Sequence, residues 1–241
     1  MDVTTKAVAL RASDYRENDK MVLLYSLEYG KISVHARGVR KSAAKLKFAC
    51  DQFCFGQYEL AQNGDRLTLK NCDQLQSFYE LREDVARYYA ACAVAETLIN
   101  YTEEWQSDGA LFVCVLKSFQ QLCAQVQPLC VLLKFLLDFL RLEGFALTFD
   151  SCVNCGEKTS EMFLDVERGG VVCRNCRSGG AVALSAAVVS ACTMVENLPY
   201  EKLKNLSLPQ QVLKEALTLC LRYLSHSFRP LNSLAELLNV V

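Results

Sequence analysis

The sequence predicts an α+β chain of several units: a small β-barrel at the front, an α-helical region behind it, and a cysteine-rich metal knuckle set into the helices. Short alternating apolar runs, punctuated by glycine turns, fill about the first 75 residues. From about Leu81 the apolar spacing changes to the 3.6-residue period of helices. Between Cys152 and Cys176 stand two Cys-x-x-Cys pairs, Cys152-Val-Asn-Cys155 and Cys173-Arg-Asn-Cys176.

In the front segment the runs Lys6–Arg11, Met21–Leu27, Lys31–Ala36, Gln52–Leu60 and Arg66–Lys70 read as strands. Tyr29-Gly30-Lys31 and Asn63-Gly64-Asp65 supply turns. In the fourth run, alternation puts Phe53 and Phe55 opposite Cys54, and Gly56 marks a bulge or sharp bend. Five strands in so short a segment suit a closed or nearly closed barrel.

The helical region begins with residues 82–104, rich in alanine and carrying Val85, Tyr89, Cys92, Ala93 and Ile99 on one face. Helices over 110–126 and 129–143 follow, separated at Pro128. Leu129–Leu142 is the longest apolar stretch, broken only by Lys134, Asp138 and Arg141 at spacings of four and three. It is too short to span a bilayer and reads as the most buried helix, ending near Gly144. After the cysteines, Ser185 caps a helix to about Asn197. Pro209 opens a last long run with the stripe Val212, Leu213, Ala216, Leu217, Cys220 and Leu224.

The cysteine segment has a definite chemistry. Seventeen residues separate Cys155 from Cys173, the spacing at which two tight turns face each other and present four sulfurs to one tetrahedral ion. Gly156 lets the first turn close through a positive φ. Gly169 and Gly170 suit a hairpin feeding the second turn, with Met162-Phe163-Leu164 opposite. A single pair is equally compatible with a redox dithiol; two at this distance favour zinc. Four thiolates leave no open coordination position, so the expected Zn2+ is structural, one per chain. The total of 13 cysteines is odd, and no apolar segment follows a basic start, which fits a reduced cytosolic protein. The remaining nine cysteines are expected to behave as small hydrophobes.

Catalytic patterns are missing from the sequence. His35 and His226 lie far apart and pair with no nucleophile, so each is expected to be solvated. Gly30-Lys31 lacks the upstream glycine and the hydroxyl of a phosphate loop. No His-x-Glu accompanies the cysteine pairs, as a zinc deaminase requires.

The overall charge of −1 conceals a division along the chain. Residues 1–70 hold 12 Lys and Arg against 8 Asp and Glu, residues 71–150 hold 5 against 11, and residues 151–241 hold 9 against 8. Lys31, Arg37, Arg40, Lys41, Lys45 and Lys47 follow one another with no acidic residue between Glu28 and Asp51. Such a run is often just a solvated face. Here it falls on a loop after a glycine-turn hairpin of a small barrel, where an oligonucleotide-binding fold presents cations to phosphates. Five such contacts on a single strand imply a slope of log affinity against log salt of about −3.5, at about −0.7 each.

Several stretches together resemble the bacterial RecO family, the recombination mediators of the RecFOR pathway. They are Tyr15-Arg16-Glu17-Asn18-Asp19-Lys20, Leu27-Glu28-Tyr29-Gly30-Lys31, Ala36-Arg37-Gly38-Val39-Arg40-Lys41, Tyr88 to Glu96, Phe139 to Phe145, and Phe228-Arg229-Pro230-Leu231-Asn232-Ser233. None is specific alone; six in order are, although lysine is more usual in the family where Asn232 stands. The resemblance implies an N-terminal OB-fold over 1–80, a helical domain in two parts over 81–148 and 182–241, and a four-cysteine zinc insertion over 149–181. It implies a cytoplasmic, nucleoid-associated DNA repair protein without catalytic turnover. Such a protein binds single- and double-stranded DNA and anneals complementary strands. It engages the C-terminal tail of single-strand-binding protein and, with RecR, helps load RecA. Carried onto this chain, the DNA contacts are Arg37, Arg40, Lys41, Lys45 and Lys47, and the metal ligands Cys152, Cys155, Cys173 and Cys176. The acidic tail would need a local basic spot such as Lys117 or Lys134 within the acidic middle segment. A zinc-stapled RNA- or protein-binding adaptor without annealing activity is the alternative.

Overall fold

The computed structural model describes residues 2–158, 161–227 and 229–241; Phe228 of the closing motif lies outside them. The chain divides into two compact units, one made of the residues up to Glu83 with Ala95–Val113, the other of Asp84–Val94 with Cys114–Val241.

In the first unit, strands β1 (Asp2–Tyr15), β2 (Asp19–Ser26), β3 (Gly30–Ala36), β4 (Phe55–Asn63) and β5 (Arg66–Gln76) form a closed barrel in the order β1-β2-β3-β5-β4. Strand β1 pairs antiparallel with both β2 and β4, and a register shift between Ala9 and Arg11 bends it from one partner toward the other. Closure is completed by a short parallel contact, Val34 beside Leu67 and His35 beside Thr68. The interior is apolar: Ala7, Val22, Leu24, Ile32, Val34, Leu60 and Leu67 are each no more than 3% exposed. Fully burying such a branched side chain contributes about 1.5–3 kcal/mol. The expected irregularity at Gly56 is present as a register shift between Phe55 and Gly56. A Cβ there would stand 2.8 Å from Cys72 Sγ and 2.9 Å from Asp73 O. The expected alternation just before it fails: Phe53 takes φ 70° and donates its N–H to Ala9 O at 2.7 Å, so Phe53 and Cys54 are both buried ahead of the strand.

Lys31, counted with the surface cations from the sequence, points inward. It is 8% exposed, and its Nζ donates to Ile99 O at 2.7 Å and to Thr102 O. Those carbonyls close the last turn of α1 (Val85–Tyr101), so the ammonium satisfies helix-terminal acceptors and meets the negative end of the helix dipole. Burial lowers the Lys31 pKa, opposed by Glu104 and Glu103. Beside it, Gly30 (φ 63°) lies under the loop before α2 (Gly109–Cys123): a Cβ would sit 1.9 Å from Gln106 O.

The second unit is built on α3 (Pro128–Leu142), in which every residue from Leu129 to Leu140 is buried, as its apolar run predicts. Pro128 starts this helix, where its missing N–H is harmless. Two of the three charged residues of α3 are also internal, and the third, Arg141, is exposed: Lys134 Nζ stands 2.9 Å from Asp138 Oδ1, with the side chains 7% and 4% exposed. Lys134 further donates to Glu196 O at 2.8 Å. Helices α4 (Ala186–Asn197) and α5 (Gln210–Ser227) pack against α3, and α6 (Asn232–Val240) against α5. Ser185 caps α4, accepting the Val188 N–H at 3.3 Å. Between α3 and α4 runs a small sheet of β6 (Met162–Asp165), β7 (Gly170–Val172) and β8 (Val182–Leu184), ordered β7-β6-β8. The β6–β7 hairpin is the one expected from the glycines; β8 is not foreseen. Among the described residues no helix is long and apolar enough to cross a membrane.

Candidate functional site

The sulfurs of Cys152, Cys155, Cys173 and Cys176 all lie within 4.8 Å of one another, and Cys155 and Cys173 are 3.8 Å apart. Two turns make this arrangement. Gly156, at φ 75°, donates its N–H to Cys152 O at 2.8 Å, and Cys176 N–H donates to Cys173 O at 3.1 Å. Val153 N–H donates to Val171 O at 2.9 Å, tying the first turn to the strand that leads into the second. Four sulfurs at about 2.3 Å from a common centre in a tetrahedron are about 3.8 Å from each other, so the spacing fits a zinc-sized ion. The thiols differ in their surroundings: burial pushes Cys173 up to about 12 and Cys155 is also raised, whereas Cys152 is lowered. Burial acts to raise the Cys152 thiol, but the N–H groups of Cys173, Cys155 and Asn154 outweigh it and bring it to about 6. Asn154 Nδ2 donates to Cys176 Sγ at 3.3 Å. Four thiolates this close repel one another unless a cation sits among them, and a coordinating thiol is deprotonated outright. The group can therefore hold one divalent ion in a closed, structural coordination.

The predicted cationic residues lie on the long connection between β3 and β4. Arg37, Arg40, Lys41, Lys45 and Lys47 are all exposed, the last opening a short 3-10 helix over Lys47–Cys50. Arg40 differs from the rest. Its NH2 stands 3.2 Å from Asp14 Oδ2, its NH1 donates to Arg16 O at 3.3 Å, and its backbone N–H to Asn18 O at 3.0 Å. Arg40 therefore fastens the loop to the β1–β2 turn. Arg37, Lys41, Lys45 and Lys47 form no ion pair among the described residues. Arg37, Lys45 and Lys70 line a groove of about 380 Å³ along the loop.

His35, expected to be solvated, is not. Its Nε2 is 2.7 Å from Asp19 Oδ2, with both side chains 17% exposed. Asp19 Oδ1 accepts the Gly38 N–H at 2.8 Å. That N–H first, and His35 second, hold the Asp19 carboxyl below its ordinary value. The pairing fixes the first turn of the cationic loop to β2. His226 is exposed, as expected. In the second unit, Lys117 is paired with Glu201 at 2.8 Å and Lys134 is buried, so neither sequence-proposed basic spot is an unpaired surface cation.

Sequence reasoning missed a second feature of the barrel. On the outer side of β2 and β3, between the β1–β2 and β4–β5 turns, lies a cleft of about 420 Å³ lined by Tyr15, Arg16, His35, Arg37, Asp65 and Arg66, among others. Asn63-Gly64-Asp65 was visible as a turn and Tyr15-Arg16 only as part of a family-like stretch, but only barrel closure brings them to one surface.

A five-stranded barrel of the oligonucleotide-binding type, cationic on one long loop and joined to a helical unit bearing four clustered cysteines, defines the class of this protein. Residues 1–78 match the family profile described as recombination protein O N terminal, and residues 82–235 that described as recombination protein O C terminal. The chain belongs to the recombination protein O family. It is 28% identical over 237 residues to the DNA repair protein RecO of Clostridium novyi, covering 98% of this chain and 93% of that one. To the DNA repair protein RecO of Bacillus pumilus it is 30% identical over 178 residues, 74% of this chain and 70% of that one. Its counterpart in Clostridium acetobutylicum is 25% identical over 239 residues, 98% and 97% of the two chains.

Proposed function

We propose that this chain is a DNA repair protein that binds single- and double-stranded DNA through Arg37, Lys41, Lys45 and Lys47, with Arg40 holding their loop in place. It anneals complementary strands and, with RecR, helps load RecA on DNA coated with single-strand-binding protein, whose acidic C-terminal tail docks on the helical part. The observation that carries this reading is four exposed cations, with no carboxylate partners among the described residues, on one barrel loop of a chain in the recombination protein O family. Cations placed against one strand neutralise its phosphates and release counterions. The complementary strand then approaches a less negative partner, which is the physical requirement for annealing. The partners RecR, RecA and single-strand-binding protein come to this chain from its family resemblance.

The four cysteines hold one Zn2+, and its part is structural: it joins the turns around the β6–β7 hairpin and so orders the crossover between α3 and α4. The chemistry proposed here is binding and strand pairing, with no bond broken.

Binding of single-stranded DNA and of structured RNA, measured at equal salt, separates this reading from that of an RNA-binding adaptor. Tighter binding of single-stranded DNA is expected; a clear preference for the RNA overturns the DNA reading.

A further inference from the structure

We propose that Trp105, paired with Tyr29 and preceded in the chain by Glu103 and Glu104, is a docking surface for an arginine-bearing segment of a protein partner. This goes beyond the DNA reading and does not depend on it, because the surface differs from the cationic loop in charge, in position and in the kind of molecule it suits.

Two connections of the first unit build the surface: the turn between β2 and β3, and residues 102–108 between α1 and α2. Trp105, the sole tryptophan, is 46% exposed. Its ring meets that of Tyr29 at 6.3 Å with an interplanar angle of 76°, so an edge-to-face pair steadies the indole while nearly half of the residue stays in water. The backbone holds it there. Trp105 has φ 62°, a conformation that a bulky residue takes only where neighbouring structure imposes it, and one that collects at ligand clamps. Its N–H donates to Lys31 O at 3.1 Å, and the next carbonyl, Gln106 O, lies so close over Gly30 that a Cβ there would be 1.9 Å away. Fixing the ring before a partner arrives removes an ordering cost from binding.

Charge selects the partner. Glu103 and Glu104 are exposed and form no ion pair among the described residues. Lys31, on which both carboxylates act, is buried and directs its Nζ to Ile99 O and Thr102 O, so it leaves the surface acidic. The face of a tryptophan attracts cations more strongly than that of any other aromatic residue, and carboxylates beside it add complementary charge. Arginine suits the combination best, since its guanidinium stacks on an indole and meets carboxylates through paired N–H groups. Tryptophan and arginine are also the residue types that dominate binding energy at protein interfaces. A nucleic-acid strand is disfavoured, because the carboxylates repel its phosphates. Strand pairing separates the surface from the cationic loop: Ser26 faces Gly30 at one end of the β2–β3 pair, Lys20 faces Ala36 at the other, and the loop leaves from Ala36. A partner held at Trp105 therefore leaves the loop uncovered.

The test uses the full chain and a labelled, end-blocked peptide of alternating alanine and arginine, beside the same peptide with glutamine in place of arginine. Anisotropy of the label reports binding, and in the wild type the fluorescence of Trp105 reports contact at the indole. The arginine peptide is expected to bind saturably and to change the tryptophan emission, and the glutamine peptide to do neither. Trp105→Leu should weaken the arginine peptide on the order of tenfold. Glu103→Gln with Glu104→Gln should weaken it too and flatten its salt dependence, whereas Asp73→Asn, which removes an exposed carboxylate elsewhere on the barrel, should change neither. No saturable binding by the wild type overturns the proposal, as does undiminished binding in a Trp105→Leu chain with the wild-type circular dichroism spectrum. A loss of single-stranded DNA affinity in Trp105→Leu also overturns it, since the surface would then be a nucleic-acid contact. The peptide assay contains no DNA, so failure here leaves the DNA reading to be judged on the loop variants alone.

Discussion

Replacing Lys41, Lys45 and Lys47 together by glutamine removes three exposed cations that no carboxylate engages among the described residues. Each phosphate contact on a single strand contributes about 0.7 to the slope of log affinity against log salt, so the triple variant should be flatter than the wild type by about 2.1. Between 50 and 200 mM salt the wild type should then lose about 18-fold more affinity than the variant does. At 0.1 M salt the variant should bind on the order of 100-fold more weakly, about 3 kcal/mol. Arg40→Gln should behave differently. Its guanidinium is committed to Asp14 and to the Arg16 carbonyl, so the slope should change by much less than about 0.7 even if affinity falls through a loosened loop. The assay is anisotropy of a labelled single strand over a salt titration. Equal slopes for the wild type and the triple variant would refute the reasoning. So would a loss of slope in Arg40→Gln as large as that from the three lysines.

Three further predictions concern the framework. Gly30→Ala places a Cβ 1.9 Å from Gln106 O at a φ of 63°; it should cost about 1–2 kcal/mol for the left-handed backbone alone and about 3 kcal/mol or more in total once the loop is displaced. The fluorescence of Trp105, the sole tryptophan and 6.3 Å from Tyr29, reads out that displacement directly. Asp138→Leu leaves the buried Lys134 ammonium without its carboxylate and should cost about 3–5 kcal/mol; adding Lys134→Met should restore most of that stability in urea unfolding, because a buried pair replaced by apolar groups is close to neutral. Elemental analysis should find one zinc per chain, and Cys173→Ser should abolish it and raise amide exchange in the β6–β7 hairpin while leaving the barrel strands protected.

What could be read in the sequence was what depends on near neighbours. The four cysteines follow a local spacing rule, and the spacing brought them within 4.8 Å. The barrel strands were visible because apolar residues alternate between glycine turns, although β1 extends from Asp2 to Tyr15, well beyond Lys6–Arg11. Its polar ends pair because β4 and β2 lie beside them, and alternation does not register that. The errors concern charged groups with distant partners. Lys31 looked like a surface cation but caps a helix 68 residues away. His35 looked solvated but is held by Asp19 across the β2–β3 pair. Arg40 is exposed like its neighbours in the basic run, but its pairing with Asp14 on β1 could not be read from the local sequence. The cleft was unreadable for the same reason, since its two turns meet only when β3 and β5 close the barrel. Strand β8 was missed because three apolar residues, Val182–Leu184, make no periodic signal.

We propose that the β3–β4 loop makes this chain a strand-annealing protein. The most direct measurement is the annealing rate of complementary oligonucleotides precoated with single-strand-binding protein, with wild-type chain and the triple lysine variant side by side, both folded and zinc-loaded. A salt-sensitive acceleration by the wild type that the variant lacks is the predicted result. No acceleration by the wild type, or equal acceleration by both, contradicts the account.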